Sequence, residues 1–307
     1  MNKMPFICFS LFATILMSNV ACQKSNKLSG KYIGQKKPGL VPEKFMPNIV
    51  STDKIELCNA FSPNGKEFYF TVWKNGQNTL MQMKQNGEYW IGPTVASFSG
   101  KFNDVDPFVS SDGKRLYFSS NRPLNISNSL NDSDLWYVEK TEDGNWGEPI
   151  HLKSISADGK DDYYTSISNN RTLYFSIFES HGGGGNLYFS KFGNNEYSEP
   201  VLLEYPINTE YSEHDPYIAA DESYLIFTSN RPGGFGKEDL YISFKNDLGE
   251  WNVPINMGNE INSEGYDFCP MLTPDGKFLF FTRNIDRNGD IYWVDAKVIN
   301  NLNNNKP

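Results

Sequence analysis

The chain has 307 residues and a formal charge of −9, from 37 acidic and 28 basic side chains. That balance excludes the clustered Lys and Arg by which proteins hold nucleic acid, and it argues against direct adhesion to anionic lipid. Its length suits one domain with ample core, and its 22 Phe, 17 Tyr and 6 Trp suit a core rich in rings.

Residues 6–17 (FICFSLFATILM) follow Lys3 and are too short to span a bilayer stably. With the small, polar flank that follows, they read as a secretory signal over 1–21. Ala21-Cys22 resembles a bacterial lipoprotein cleavage site, which implies lipidation of Cys22. Plain secretion is the alternative. Residues 22–38 are polar and Lys-rich and read as a tether to a lipid-anchored domain at the outer membrane. Removing Lys3 with the leader takes the charge to −10.

From residue 39 onward a motif returns five times: SPNGKEFYF at 62, SSDGKRLYF at 110, ISNNRTLYF at 167, AADESYLIF at 219 and TPDGKFLFF at 273. A period near fifty with only strand and turn signals predicts an all-β propeller of five blades, four strands each. The first strand precedes the motif and lines the channel. Asn64-Gly65, Asp112-Gly113, Asn169-Asn170 and Asp275-Gly276 make the first hairpin, since Asn and Gly tolerate positive φ. The aromatic run is strand two, and segments such as Asp134–Tyr137 and Asp239–Tyr241 are strand three. The fourth strand carries a proline after an aromatic, as in Trp146…Pro149, which fits an edge.

The fifth repeat lacks its Trp…Pro strand. Pro42 stands 20 residues before the first motif, close to the offset of the other prolines, so residues 40–46 are predicted to complete the last blade. The propeller is placed at 39–300, with a tail at 301–307. Asp286–Asp290 resembles the start of a calcium loop, but no downstream Glu completes it, and a hairpin turn is the simpler reading.

The repeat pattern D-x-x-P-x-x-S-x-D-G-K-x-L-Y-F-S-S-N-R-P, continued by D-L-Y and G-x-W-x-x-P, resembles the WD-repeat-like propellers related to TolB. Asp106-Pro107 through Pro123 and Asp215-Pro216 through Pro232 carry the likeness. Repeat three departs from it with Tyr163-Tyr164. The resemblance implies binding or scaffolding in the bacterial envelope rather than a fixed chemistry.

Six residues before each motif stands an acid: Glu56, Asp104, Asp161, Glu213 and Asp267. Asp106 and Asp215 lie two residues further on, on the same strand face. Together they could ring one channel mouth and bind calcium, another cation or a basic ligand. Alternatively each caps loop amides or pairs with a base of a neighbouring blade, for which Lys74, Arg122 and Arg231 recur at one position. Tyr163 and Tyr164 could stack on a sugar there. Cys58 and Cys269 share one repeat position in blades that become neighbours on closure, so either a disulfide or two buried thiols fits. No catalytic set or resident cofactor emerges. The leading expectation is a monomeric, non-catalytic propeller that binds an envelope protein or glycan. The alternative is a glycosidase-like enzyme using carboxylates at the channel mouth.

Overall fold

The computed structural model describes residues 28–124, 132–156, 159–179 and 184–304. Cys22 and the leader lie outside the described residues, as do parts of the blade-two loop 121–133 and of the glycine run that follows His181. Among the described residues no helix is long and apolar enough to cross a membrane.

Five four-stranded antiparallel sheets form the ring. Blade two shows the pattern: Asp104–Val109 innermost, then Arg115–Ser120, Asp134–Glu139 and Ile150–His151 at the rim. Five buried clusters fill the five spaces between blades. The aromatic before each proline packs backward onto the preceding blade. Trp146 of blade two, for instance, meets Tyr69 of blade one at 6.2 Å between centroids and donates its indole N–H to the phenol oxygen at 2.8 Å. In blade two the G-x-W-x-x-P segment is therefore a blade-to-blade clamp, and a ring pair such as Trp146–Tyr69 contributes about 1 kcal/mol beyond its burial.

The last blade closes as expected. Glu43–Lys44 pairs antiparallel with Asn288–Asp295, with Glu43 opposite Trp293, and Phe45 anchors the seam at 0% exposure. Two boundaries differ from the sequence reading. Among the described residues, packing already includes Leu28 and the residues that follow it, ahead of 39. Tyr32 and Ile33 are buried, the Tyr32 hydroxyl donates to Asp275 at 2.6 Å, and the Trp90 indole donates to the Gly30 carbonyl at 2.8 Å. Gly30 and Gly34, both at positive φ, let the backbone fold back over these side chains, which a polar composition hides. At the other end, Lys297–Asn304 is a helix that buries Val298 and Ile299 against blades four and five. Asp286 and Arg287 form a hairpin turn, both at positive φ, as the simpler reading of that segment had it.

Every innermost strand carries a bulge. Cys58, Asp106, Tyr164, Asp215 and Cys269 have φ between 32° and 59°, and each sits where the pairing with strand two slips. The slip turns these five side chains into the channel. Proline follows in three blades (Pro107, Pro216 and Pro270), where the bulge removes the need for a ladder N–H.

Candidate binding site in the channel

The two ends of the channel differ in kind. At the end where the innermost strands begin, the acid column is buried and engaged. Asp104 accepts Ser99 Oγ at 2.7 Å, Ser120 Oγ at 2.6 Å and Arg122 Nη2 at 2.7 Å. Glu213 accepts the Thr209 amide at 2.9 Å, Thr209 Oγ1 at 2.7 Å, Ser229 Oγ at 2.8 Å and Arg231 Nη2 at 3.0 Å. Asp267 accepts the Ser263 amide at 2.6 Å, Ser263 Oγ at 2.7 Å and Arg283 Nε at 2.7 Å. Glu56 accepts the Thr52 amide at 2.9 Å and its hydroxyl at 2.5 Å. Burial pushes the carboxyls of Glu56 and Asp267 upward. The Thr52 hydrogen bonds resist this at Glu56, and Arg283 with Ser263 at Asp267. Each acid thus closes a tight turn leading into its own blade's innermost strand.

Three details depart from the sequence reading. The basic partner comes from the same blade, not the next one. Arg283 serves in blade five although it sits two positions earlier in the repeat, while Lys74 is exposed. The column member in blade three is Asp162, not Asp161. The first hairpin of blade three is one residue shorter, with Ser168 closing on Thr172 where Ser110 closes on Arg115. Strand register therefore sets Asp162 opposite Ile177, as Asp104 is opposite Ser120. Asp162 is fully buried, and Asp161 is part-exposed, accepting the Ser133 amide at 2.8 Å.

Asp106 and Asp215 do not share that mouth. They belong to the bulge ring and lie buried along the channel with Tyr164 and the two cysteines. Burial raises the Asp106 carboxyl well above its ordinary value, and the nearby Asp215 adds to this; the Tyr164 amide and the charge on His214 oppose it. Asp215 accepts the Cys269 amide at 3.1 Å and meets His214 Nδ1 at 3.2 Å, while His214 Nε2 faces Glu238 at 3.5 Å. Burial pulls the His214 pKa down, but Asp215 and Glu238 outweigh it and push it up to about 10. Cys58 and Cys269 are joined as a disulfide, with 5.1 Å between their Cα atoms. Tyr164 is 2% exposed and donates its hydroxyl to the Pro270 carbonyl at 2.7 Å, so its ring spans from blade three to blade five. It plugs the channel and has no face left for a sugar. Tyr163 is half-buried, bonded to Ser133 Oγ at 2.9 Å and packed edge-on to Phe178.

At the other end, beside the first hairpins, the channel opens into a cavity of about 560 Å³ lined from all five blades. Phe61, Phe108, Ile167, Tyr217, Tyr224 and Met271 supply its wall. Ser111, Asn169 and Ala220 stand exposed at its rim. The sequence reading missed this end because its lining varies between blades, whereas the repeated acids drew attention to the other. The useful signal lay in positions such as Phe108 and Tyr217, aromatics inside an innermost strand.

No protein-family model and no curated protein matches the chain. Among solved structures it is similar to the endo-arabinase from Bacteroides thetaiotaomicron VPI-5482, with a TM-score of 0.54 and 12% identity over 85% of this chain and 97% of that one. TolB from Acinetobacter baumannii gives 0.47 and 15% identity over 78% of this chain, which spans about half of TolB's length at 54%. The α-L-arabinanase of Penicillium chrysogenum, complexed with arabinobiose, gives 0.48 and 14% over 76% and 72%. At these identities the likeness shows the propeller fold alone.

Proposed function

We propose that this propeller is a non-catalytic binding protein of the cell envelope, anchored by a lipid on Cys22, whose ligand enters the hairpin-side mouth. The observation that carries the reading is the contrast between the ends. The carboxylates of Glu56, Asp104, Glu213 and Asp267 are committed to their own blades' turns, whereas the aromatic-walled cavity opposite is open. Cavities of this size, mostly apolar with a few polar rim groups, suit a saccharide unit or an apolar side chain of a protein partner. Glycoside cleavage needs a pair of carboxyls at roughly 5–10 Å facing the substrate, with one free to give a proton and the other to attack or activate water. Acids consumed as caps weigh against that chemistry.

The test is binding of envelope glycans, measured by array and then calorimetry, beside a reducing-sugar assay on the same polysaccharides. Binding without sugar release, lost in an Ala220→Arg variant that blocks the rim, supports the reading. Turnover of any of these polysaccharides would overturn the non-catalytic part, and binding indifferent to Ala220→Arg would move the site elsewhere. The anchor is checked separately. Cys22→Ser should release the protein from the membrane fraction with its melting temperature unchanged, and a variant still bound after a salt wash would refute lipidation.

A further inference from the structure

We propose that Cys58, Cys269 and Asp106 form a site for a thiophilic divalent cation, zinc foremost, when the Cys58–Cys269 bond is reduced. One ligand atom from each of the three lies within 4.8 Å of the others. All three are bulge residues at positive φ, which aims their side chains into the channel, and they are 3%, 1% and 8% exposed. In tetrahedral zinc sites a Zn–S bond of about 2.3 Å puts two thiolates roughly 3.8 Å apart, so the sulfurs must part, the carboxylate must draw in, and water supplies the fourth ligand. The Cα separation of 5.1 Å leaves room for that through side-chain rotation.

The carboxylates around the sulfurs favour a cation, set against the charge on His214. Asp106 is a buried carboxyl on the channel wall, close to the Tyr164 backbone. Asp215 fixes Cys269 through its amide with one oxygen and holds His214 with the other, which is the outer-shell support that orients metal ligands. Two sulfur donors select zinc over calcium or magnesium, which take oxygen. The ligands come from blades one, two and five, which are consecutive around the closed ring. The cation would therefore tie the N-terminal and C-terminal blades as the disulfide does. The chemistry balances with an external thiol or phosphine reductant. The disulfide gains two electrons and two protons to give two thiols while the reductant is oxidised, and the divalent cation then displaces both protons to leave two thiolates.

The experiment takes the full chain with Cys8→Ser and Cys22→Ser, so that Cys58 and Cys269 are its two remaining cysteines, reduces it in urea with a phosphine, confirms two free thiols, and refolds it with Zn²⁺, with Co²⁺ or without metal. The expected result is one cation per refolded chain, a thiolate-to-cobalt absorption band, and a higher melting temperature with zinc than without. The oxidised chain should take up neither ion at this site. Asp106→Asn should weaken Co²⁺ binding at least tenfold with the band retained, and Cys58→Ser should abolish the band. A reduced chain that refolds and shows no thiolate-to-cobalt band, one that fails to refold even with zinc, or an Asp106→Asn variant with unchanged affinity would overturn the proposal.

Discussion

Blades two and three are built on one plan, yet they use their innermost strands differently. Blade two keeps Asp104 capped by Ser99 and Arg122 and keeps Pro107 behind its bulge. Blade three has no Arg two positions beyond its aromatic run. It has Thr165 where proline stands in blade two, and it sends Tyr164 across the channel to Pro270. The regular blade spends its polar residues on holding its own turn, and the divergent blade spends a large side chain on filling the axis. A position repeated in every blade thus reports on the ring's construction. A position that departs reports on what the channel does.

The largest test of that difference is Arg122→Ala in blade two. Arg122 is 9% exposed, and it also stacks over Phe118 and Trp136. Its loss strands the buried Asp104 carboxylate, and the expected cost is about 3–5 kcal/mol in urea unfolding. A control change at Arg171, exposed in blade three's first hairpin and stacked on Phe192, should cost under about 1 kcal/mol. Equal costs would mean that the acid column does not hold the blades.

Next comes the closure. A Cys58→Ser, Cys269→Ser double variant removes a link across 211 residues of sequence. The expected loss is about 2–5 kcal/mol, read as a lower melting temperature in oxidising buffer. No change would mean that the strand supplied by residues 43–44 closes the ring unaided.

A pH test separates the buried charges along the channel from the capped acids. His214 faces Asp215, Glu238 and the Phe178 ring, with Asp106 close enough to feel its charge. Its folded pKa, near 10, lies above the unfolded value of about 6.5. Its stabilisation is therefore complete below pH 6.5 and is lost as pH rises toward 10. The wild type should lose stability over that window, and His214→Gln should flatten the slope. An unchanged slope would show that His214 does not carry a buried charge.

Much of this is legible in the sequence, for physical reasons. A hairpin needs Asn or Gly at fixed places, an edge strand accepts proline, and a blade interface needs rings, so Asn64-Gly65, Pro149 and Trp146 announced the architecture. The bulges were less visible because positive φ at Cys58, Asp106, Tyr164, Asp215 and Cys269 requires no glycine when the channel wall holds the strand. The three prolines that follow were the available hint. The binding mouth was hidden because a cavity is a property of five strands at once, and no single repeat encodes it. Arg283 escaped notice because a side chain's reach, not its index in the repeat, decides whether it meets Asp267.

Added calcium offers a smaller expected effect, namely none. If the acids of the column are caps, as their bonds to Thr52, Ser99, Thr209 and Ser263 suggest, millimolar calcium should leave the melting temperature where it was. A rise of several degrees would restore the cation reading of that mouth.

The finest test uses two adjacent residues. Aligned by sequence, Asp161 stands in the acid column; aligned by strand register, Asp162 does, because the blade-three hairpin is one residue short. Asp161 accepts the Ser133 amide from a part-exposed position, so Asp161→Ala should cost about 1 kcal/mol, the net value of one such hydrogen bond. Asp162 is fully buried beside the channel, so Asp162→Ala removes a carboxyl from the packed interior and should cost more. Measured in the same urea series as Arg122→Ala, the pair decides which alignment the protein obeys. A larger loss at Asp161 would return the column to its sequence register and would mean that the shortened hairpin is absorbed after the acid rather than before it.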